Sequence, residues 1–287
     1  MNQLIKPDPT LPALKVEGLA DLRIRAGMSF AGVRFDVETE VEISGLEPGM
    51  DYVVLIRDGA PVAVEATGDV AEALGGFHFA PGGNAESISG GDEVPAINRF
   101  SLWDQNFRPA CADPRGMVLV TGAKHPFWCD IYLTGVDHLM VGTSAFGAVI
   151  ADGANPPLDH ATGQPFDGFN YATACAVMKH HGKGLLSFEE FAVAAYGVTE
   201  RSAARKDPRK TKLDAPRTSR FGLMQATGNM WTWGHDGHPD APRASVLGGS
   251  WLSEGNAGSR YANLGYWAGY SLGVIGARGR SDHLQLG

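Results

Sequence analysis

The chain has 287 residues, 44% of them apolar and 20% charged, and carries a net charge of −8. That length allows one large domain or two moderate ones with a buried core. The negative balance argues against a general nucleic-acid or anionic-membrane binder, which would need a basic surface. Thirty-eight glycines, about twice ordinary usage, imply many turns and short strands. Three cysteines, Cys111, Cys129 and Cys175, show no paired spacing and read as buried free thiols rather than a disulfide framework. The N-terminus lacks the apolar core of a signal peptide, and no apolar run approaches the ~20 residues of a membrane span. Synthesis in a bacterial cytoplasm is expected, with no membrane insertion.

Residues 1–15 hold three prolines and little pattern, and are expected to form an arm or linker. Residues 16–95 have a β texture and are expected to form a small β-rich domain. Val41 and Ile43 alternate with Glu40 and Glu42. Tyr52–Ile56 and Val62–Val64 flank Asp58-Gly59, a hairpin signal. Phe77–Phe79 fits another strand. Gly82-Gly83 and Gly90-Gly91 bracket a stretch read as flexible, which puts a domain boundary near 85–97.

The second half is mixed. Strands are expected at Met117–Val120 and Phe127–Leu133. A helix is expected over 167–181, stopped by Gly182. Ser187-Phe188-Glu189-Glu190 is a capping-box pattern that opens a second helix through about Tyr196. Residues 200–220 carry eight Lys or Arg against three acids and read as a solvated polar loop. His180-His181 and His235-x-x-His238 read as solvent-facing histidines. Beyond 221 the chain is rich in Gly, Trp, Ser and Tyr and has almost no helical period.

Three motifs in fixed order carry a resemblance over roughly residues 115–287. They are Gly182-Lys183-Gly184-Leu185-Leu186-Ser187, Gly228-Asn229-Met230-Trp231-Thr232-Trp233 and Leu247-Gly248-Gly249-Ser250-Trp251. Their order resembles the formylglycine-generating-enzyme type of C-type lectin fold. The resemblance implies an α+β chain, with a C-type-lectin-like domain over 96–287 preceded by the small β-rich domain. That group contains enzymes and binding proteins alike. The enzymes need paired cysteines after the Gly-Gly-Ser-Trp motif, as copper ligands and nucleophiles. No cysteine follows Cys175. An enzyme of unrecognised chemistry, or a structural tail or surface protein, remains the alternative.

The C-terminal end resembles a narrower group. Gly248–Trp251, Gly258-Ser259-Arg260, Gly276-Ala277-Arg278-Gly279 and Asp282-His283-Leu284 are spaced as in the variable region of the phage major tropism determinant. Such proteins are diversified by retroelements, which randomise template adenines and so turn asparagine codons into codons for many residues. The resemblance implies a variable region at about 244–287. Its variable, ligand-binding positions would be Ser250, Leu252, Ser253, Glu254, Asn256, Asn263, Gly265, Tyr266, Tyr270, Leu272, Val274 and Ile275. Of these, only Glu254 cannot arise from an asparagine codon. Trp251, Gly258, Ser259, Arg260, Gly276, Ala277 and Arg278 would be scaffold, since turn glycines and large rigid residues can hold a backbone while neighbours change. Trp251 and Trp267 are expected in the core. Tyr266 and Tyr270 are expected to be exposed.

The implied function is receptor binding by a phage or prophage tail protein, carried on the virion. Its partner would be a host or cell-surface protein or glycan, met by adaptable Tyr, Ser and Asn side chains. The resemblance favours a homotrimer, whose avidity would multiply weak single-site binding. No nucleic-acid partner and no cofactor is implied. A structural divalent cation stays open, and the metal ligands are unknown. The sugar-binding calcium motifs Glu-Pro-Asn and Trp-Asn-Asp are absent, so calcium-dependent sugar binding of the ordinary lectin kind is not expected.

Overall fold

The structure, a computed structural model, describes residues 3–237 and 243–285. Short strands dominate, joined by turns. Among the described residues, no helix is long and apolar enough to cross a membrane.

The β texture of the first hundred residues folds as expected. Asp58 and Gly59 take φ of 51° and 81°, the paired positive angles of a tight hairpin turn. They join Met50–Arg57 to Ala60–Glu65 in antiparallel register, Tyr52 opposite Glu65 and Arg57 opposite Ala60. Gly75–Ala80 lies on the other side of Met50–Arg57. Leu14, Leu22, Phe30, Tyr52, Phe77 and Leu102 belong to one core.

Residues 1–15 are not a free arm. Leu4 is buried, and Leu14–Val16 pairs with Leu22–Ile24. Lys6 Nζ sits 2.9 Å from Asp104 Oδ2 in a buried ion pair. The same carboxylate oxygen accepts the Ala13 N–H at 2.7 Å. A buried charge is tolerated only when it is paired and hydrogen-bonded, and this pairing fastens the segment down.

The boundary expected near 85–97 is not a break in the sheet. One hydrogen-bonded ladder runs from Met50–Arg57 through Gly75–Ala80, Trp103–Asp104 and Phe107–Pro109 to Gly279–Gln285 and Phe127–Asp130. The glycine-rich bracket is fixed rather than flexible. Gly90 and Gly91 donate to the Gly197 and Ala215 carbonyls at 2.9 and 2.8 Å. A core of Val53, Trp103, Phe107, Met117 and Trp128 spans the junction.

In the second half, Met117–Val120 is a strand as expected, while Phe127–Asp130 stops short of Leu133. The helix expected over 167–181 is Tyr171–His180. It starts late because the Asn170 side chain accepts the Thr173 N–H, an N-cap, and the Phe169 N–H is taken by Ser271 Oγ. The capping box forms in full. Ser187 Oγ accepts the Glu190 N–H and Glu190 Oε2 accepts the Ser187 N–H, at the head of the helix Phe188–Ala194. The loop 200–220 is only partly solvated, because Thr211, Thr218 and Ser219 are buried. A four-stranded sheet then stacks Ala262–Trp267, Arg243–Leu247, Trp231–Gly234 and Ile275–Gly276 in that order.

Candidate functional site

The C-terminal segment alternates between residues threaded through the core and residues left outside it. Gly248 and Gly249 bend the chain at φ of 89° and 80°. A Cβ at Gly249 would lie 2.7 Å from that of Ala257, so only glycine fits this turn. At Gly258 a Cβ would meet Glu200 Oε2 at 2.0 Å. That close approach lets Ser259 donate its N–H and hydroxyl to Glu200 Oε1 at 3.2 and 2.5 Å.

Arg278 is fully buried. Its Nη1 donates to the Asp130 and Ile131 carbonyls at 2.8 and 2.5 Å, and Nη2 to the Met224 carbonyl at 2.7 Å. Burial lowers its affinity for the proton. Next to it, Asp130 accepts Lys183 Nζ at 2.7 Å and the Gly279 N–H at 3.1 Å. The Ala277 carbonyl accepts both donors of Thr134. The residues 275–279 are therefore held from several sides.

Between these anchors the chain faces solvent. Ala262–Trp267 pairs with Arg243–Leu247 through a bulge between Ala244 and Val246, and every residue of it but the half-buried Tyr266 is exposed. Leu252, Leu264, Trp267, Tyr270 and Leu272 are 40–60% exposed. The Tyr266 ring meets Tyr270 at 5.5 Å and Trp233 at 6.0 Å, both edge-on.

The expected positions divide on this geometry. Leu252, Glu254, Asn256, Asn263, Gly265, Tyr270 and Leu272 are exposed, while Ser253, Tyr266 and Val274 are half-buried. Ser250 and Ile275 are buried and present no side chain to a partner. Ser250 lies in the Gly-Gly turn, and Ile275 pairs in parallel with Trp231. Half-buried Tyr266 corrects its expected exposure, because the ring leans on Trp233. Trp267, expected in the core, is outside it, and Leu264 joins it unforeseen. Their strand, Ala262–Trp267, does alternate apolar and polar residues up to Tyr266, so its local pattern gave no sign that it faces outward. Trp251 is half-buried against Leu133, Ile150 and Met230. Arg260, expected as scaffold, is exposed.

The remaining reactive groups lie elsewhere. Burial pushes the thiols of Cys111 and Cys175 up, and that of Cys129 up to about 12. His181 is half-buried, with Nε2 3.1 Å from the Leu139 carbonyl, and so does not simply face solvent. His235 is exposed, and His238 lies outside the described residues. Among the described residues, no group of three or more His, Cys, Asp or Glu is placed to hold a metal ion.

The fold is α+β and mostly strand, of the C-type-lectin-like class. No family model matches the chain. It is similar to a Tail fiber receptor-binding protein of Bordetella phage BPP-1, with 36% identity over 330 aligned positions, covering 98% of this chain and 85% of that one. The Major Tropism Determinant P3c Variant superposes with a TM-score of 0.91 at 35% identity, covering 99% of this chain and 87% of that one. The U1 Variant gives 0.89 at 35%, covering 99% and 86%. The chain belongs to the family of these phage tail-fiber receptor-binding proteins, the major tropism determinants.

Proposed function

We propose that the chain is a non-enzymatic receptor-binding protein of a phage tail, and that it meets a host-surface protein or glycan through the exposed positions between 252 and 274. The observation that carries this reading is the exposure of Leu252, Leu264, Trp267, Tyr270 and Leu272 along one segment anchored at both ends. Large apolar side chains left in water on a firmly held backbone are the signature of an interaction surface. Exposed Asn256 and Asn263 add adaptable hydrogen bonding. The thiols, buried at Cys111 and Cys129 and half-buried at Cys175, are held towards the protonated form and are poor nucleophiles, which supports a role without covalent chemistry. In this reading a retroelement varies the exposed positions, the frame stays fixed, and a homotrimer present in several copies on a virion raises weak affinity by avidity.

The test is the double substitution Trp267→Ala/Tyr270→Ala. Adsorption of phage carrying it to the permissive host should fall by at least about tenfold. The melting temperature of the purified protein should stay within about 2 °C of the parent, as expected for exposed side chains. Unchanged adsorption, or unfolding of the variant, overturns the proposal.

A further inference from the structure

Beside the exposed segment lies a cleft of about 730 Å3 with two unlike walls. One wall is Leu252 and Glu254, two positions expected to vary, with Trp251, expected as scaffold, beside them. The other is Arg201, Ser202 and Arg205, from a loop outside it. We infer that this cleft is a carboxylate-anchoring subsite for an acidic, apolar-flanked segment of a partner protein, its constant wall being Arg201 and Arg205. The inference rests on the reading of 252–274 as the contact surface and adds the chemistry of what that surface takes.

The constant wall is built, not merely exposed. Between the two arginines, the loop is tied to the body of the domain at each residue. The Ser202 N–H donates to the Ala257 carbonyl at 3.3 Å, and the Ala204 N–H to the Gly228 carbonyl at 2.8 Å. Arg217, paired with Asp214 at 2.9 Å, donates to the Ser202 carbonyl and hydroxyl and to the Ala203 carbonyl. Arg201 and Arg205 flank this pinned stretch, both with left-handed backbone at φ of 57° and 62°. That conformation disfavours residues other than glycine and asparagine. Here it sets two guanidinium-bearing residues on one cleft.

Among the described residues, neither arginine has a hydrogen-bond or ion-pair partner within the chain. Glu254 shares the cleft but pairs with neither. Two cations against one acid leave the cleft positive on a molecule whose net charge is −8. A guanidinium presents a planar fork that matches a carboxylate with two hydrogen bonds. A pinned backbone lowers the ordering cost of using it.

The neighbouring surface selects protein over glycan. Leu252 is an exposed aliphatic side chain on the cleft wall, beside the half-buried Trp251. A sugar laid on them would lose water from its hydroxyls without gaining hydrogen bonds. A peptide segment offers an apolar side chain for Leu252 and an Asp or Glu for the arginines. The two walls then divide the work: the arginines fix a carboxylate in every relative of this chain that keeps them, and the neighbouring positions choose what surrounds it.

A displayed random-peptide library is panned on the purified full-length protein, and selected peptides are titrated against three forms of it. The first is the parent. The second is Arg201→Asn/Arg205→Asn, which keeps residues that tolerate the left-handed turn. The third is Trp267→Ala/Tyr270→Ala. Selected peptides should be enriched in Asp or Glu next to apolar residues. Their Kd should rise roughly tenfold or more on the arginine variant. Added salt should weaken the parent's binding more than the variant's. Enrichment without acids, equal binding to the arginine variant, or failure to select any peptide overturns the inference. So does arginine-dependent binding of an anionic polysaccharide in place of peptides. If the peptides lose affinity for the aromatic variant but not for the arginine variant, the contact surface stands and the subsite falls. If neither variant changes binding, both fall.

Discussion

Arg278 carries its charge into a site with no access to water, and three backbone carbonyls receive it. Removing a buried donor set strands its acceptors, which costs more than the net worth of the bonds themselves. Arg278→Ala should therefore lower unfolding stability by about 3 kcal/mol or more, read from equilibrium urea curves; a loss below about 1 kcal/mol would sink this account of the anchor. Arg260 stands in a similar Gly-Ser-Arg context but points into solvent, and Arg260→Ala should change stability by no more than about 0.5 kcal/mol. The sequence motifs make these two arginines look alike. What separates them is whether carbonyls 148, 147 and 54 residues away converge on the guanidinium, and local spacing does not encode that.

At the scale of elements, what is locally determined was readable. The Asp58-Gly59 turn and the Ser187–Glu190 capping box depend on residues within a few positions of one another, and both form as the sequence implies. Ser187→Ala should destabilise the protein by about 1 kcal/mol, because the Glu190 N–H loses its acceptor; a stability unchanged in urea denaturation would mean another group caps this helix. Elements set by distant partners were less readable. Phe169 looks like the start of a helical face, yet its N–H goes to Ser271, a hundred residues on. Trp267 looks like core because tryptophan usually is. Its place on a strand whose residues nearly all face solvent depends on that strand pairing with Arg243–Leu247 and standing last in its sheet.

At the scale of the molecule, the fold class and the order of its parts were legible from three spaced motifs, whereas the independence of the two halves was not. Separate cores suggest two domains, but the ladder joining them is made by residues far apart in sequence, which no window of composition reveals. The same burial that joins the halves sets the response to acid. Burial holds His138 well below its ordinary 6.5, and lowers His181 and His283 in the same direction. His283 accepts the Trp128 indole N–H at 2.9 Å, which requires a neutral ring. Below about pH 6.5 the unfolded chain binds protons that the folded chain refuses. Stability is present above that pH and is lost as pH falls through it, by up to about 1.4 kcal/mol per pH unit for each proton. Urea midpoints should fall between about pH 7 and about pH 5, and His138→Leu should flatten the slope. An unchanged slope in that variant would assign the response to other groups.

The strand Gly279–Gln285 follows the exposed segment in the chain, and it pairs with Phe107–Pro109, Phe127–Asp130 and Gly184–Leu185. Any insertion or deletion between 250 and 275 that shifts the reading frame would garble this strand along with the surface before it. The ladder holding both halves would then lose the strand that joins Phe107–Pro109 to Phe127–Asp130. Substitutions at exposed positions leave the strand intact. Folding itself thus acts as a proofreader of the stretch of gene that encodes this surface: changes of letter survive, and changes of frame do not.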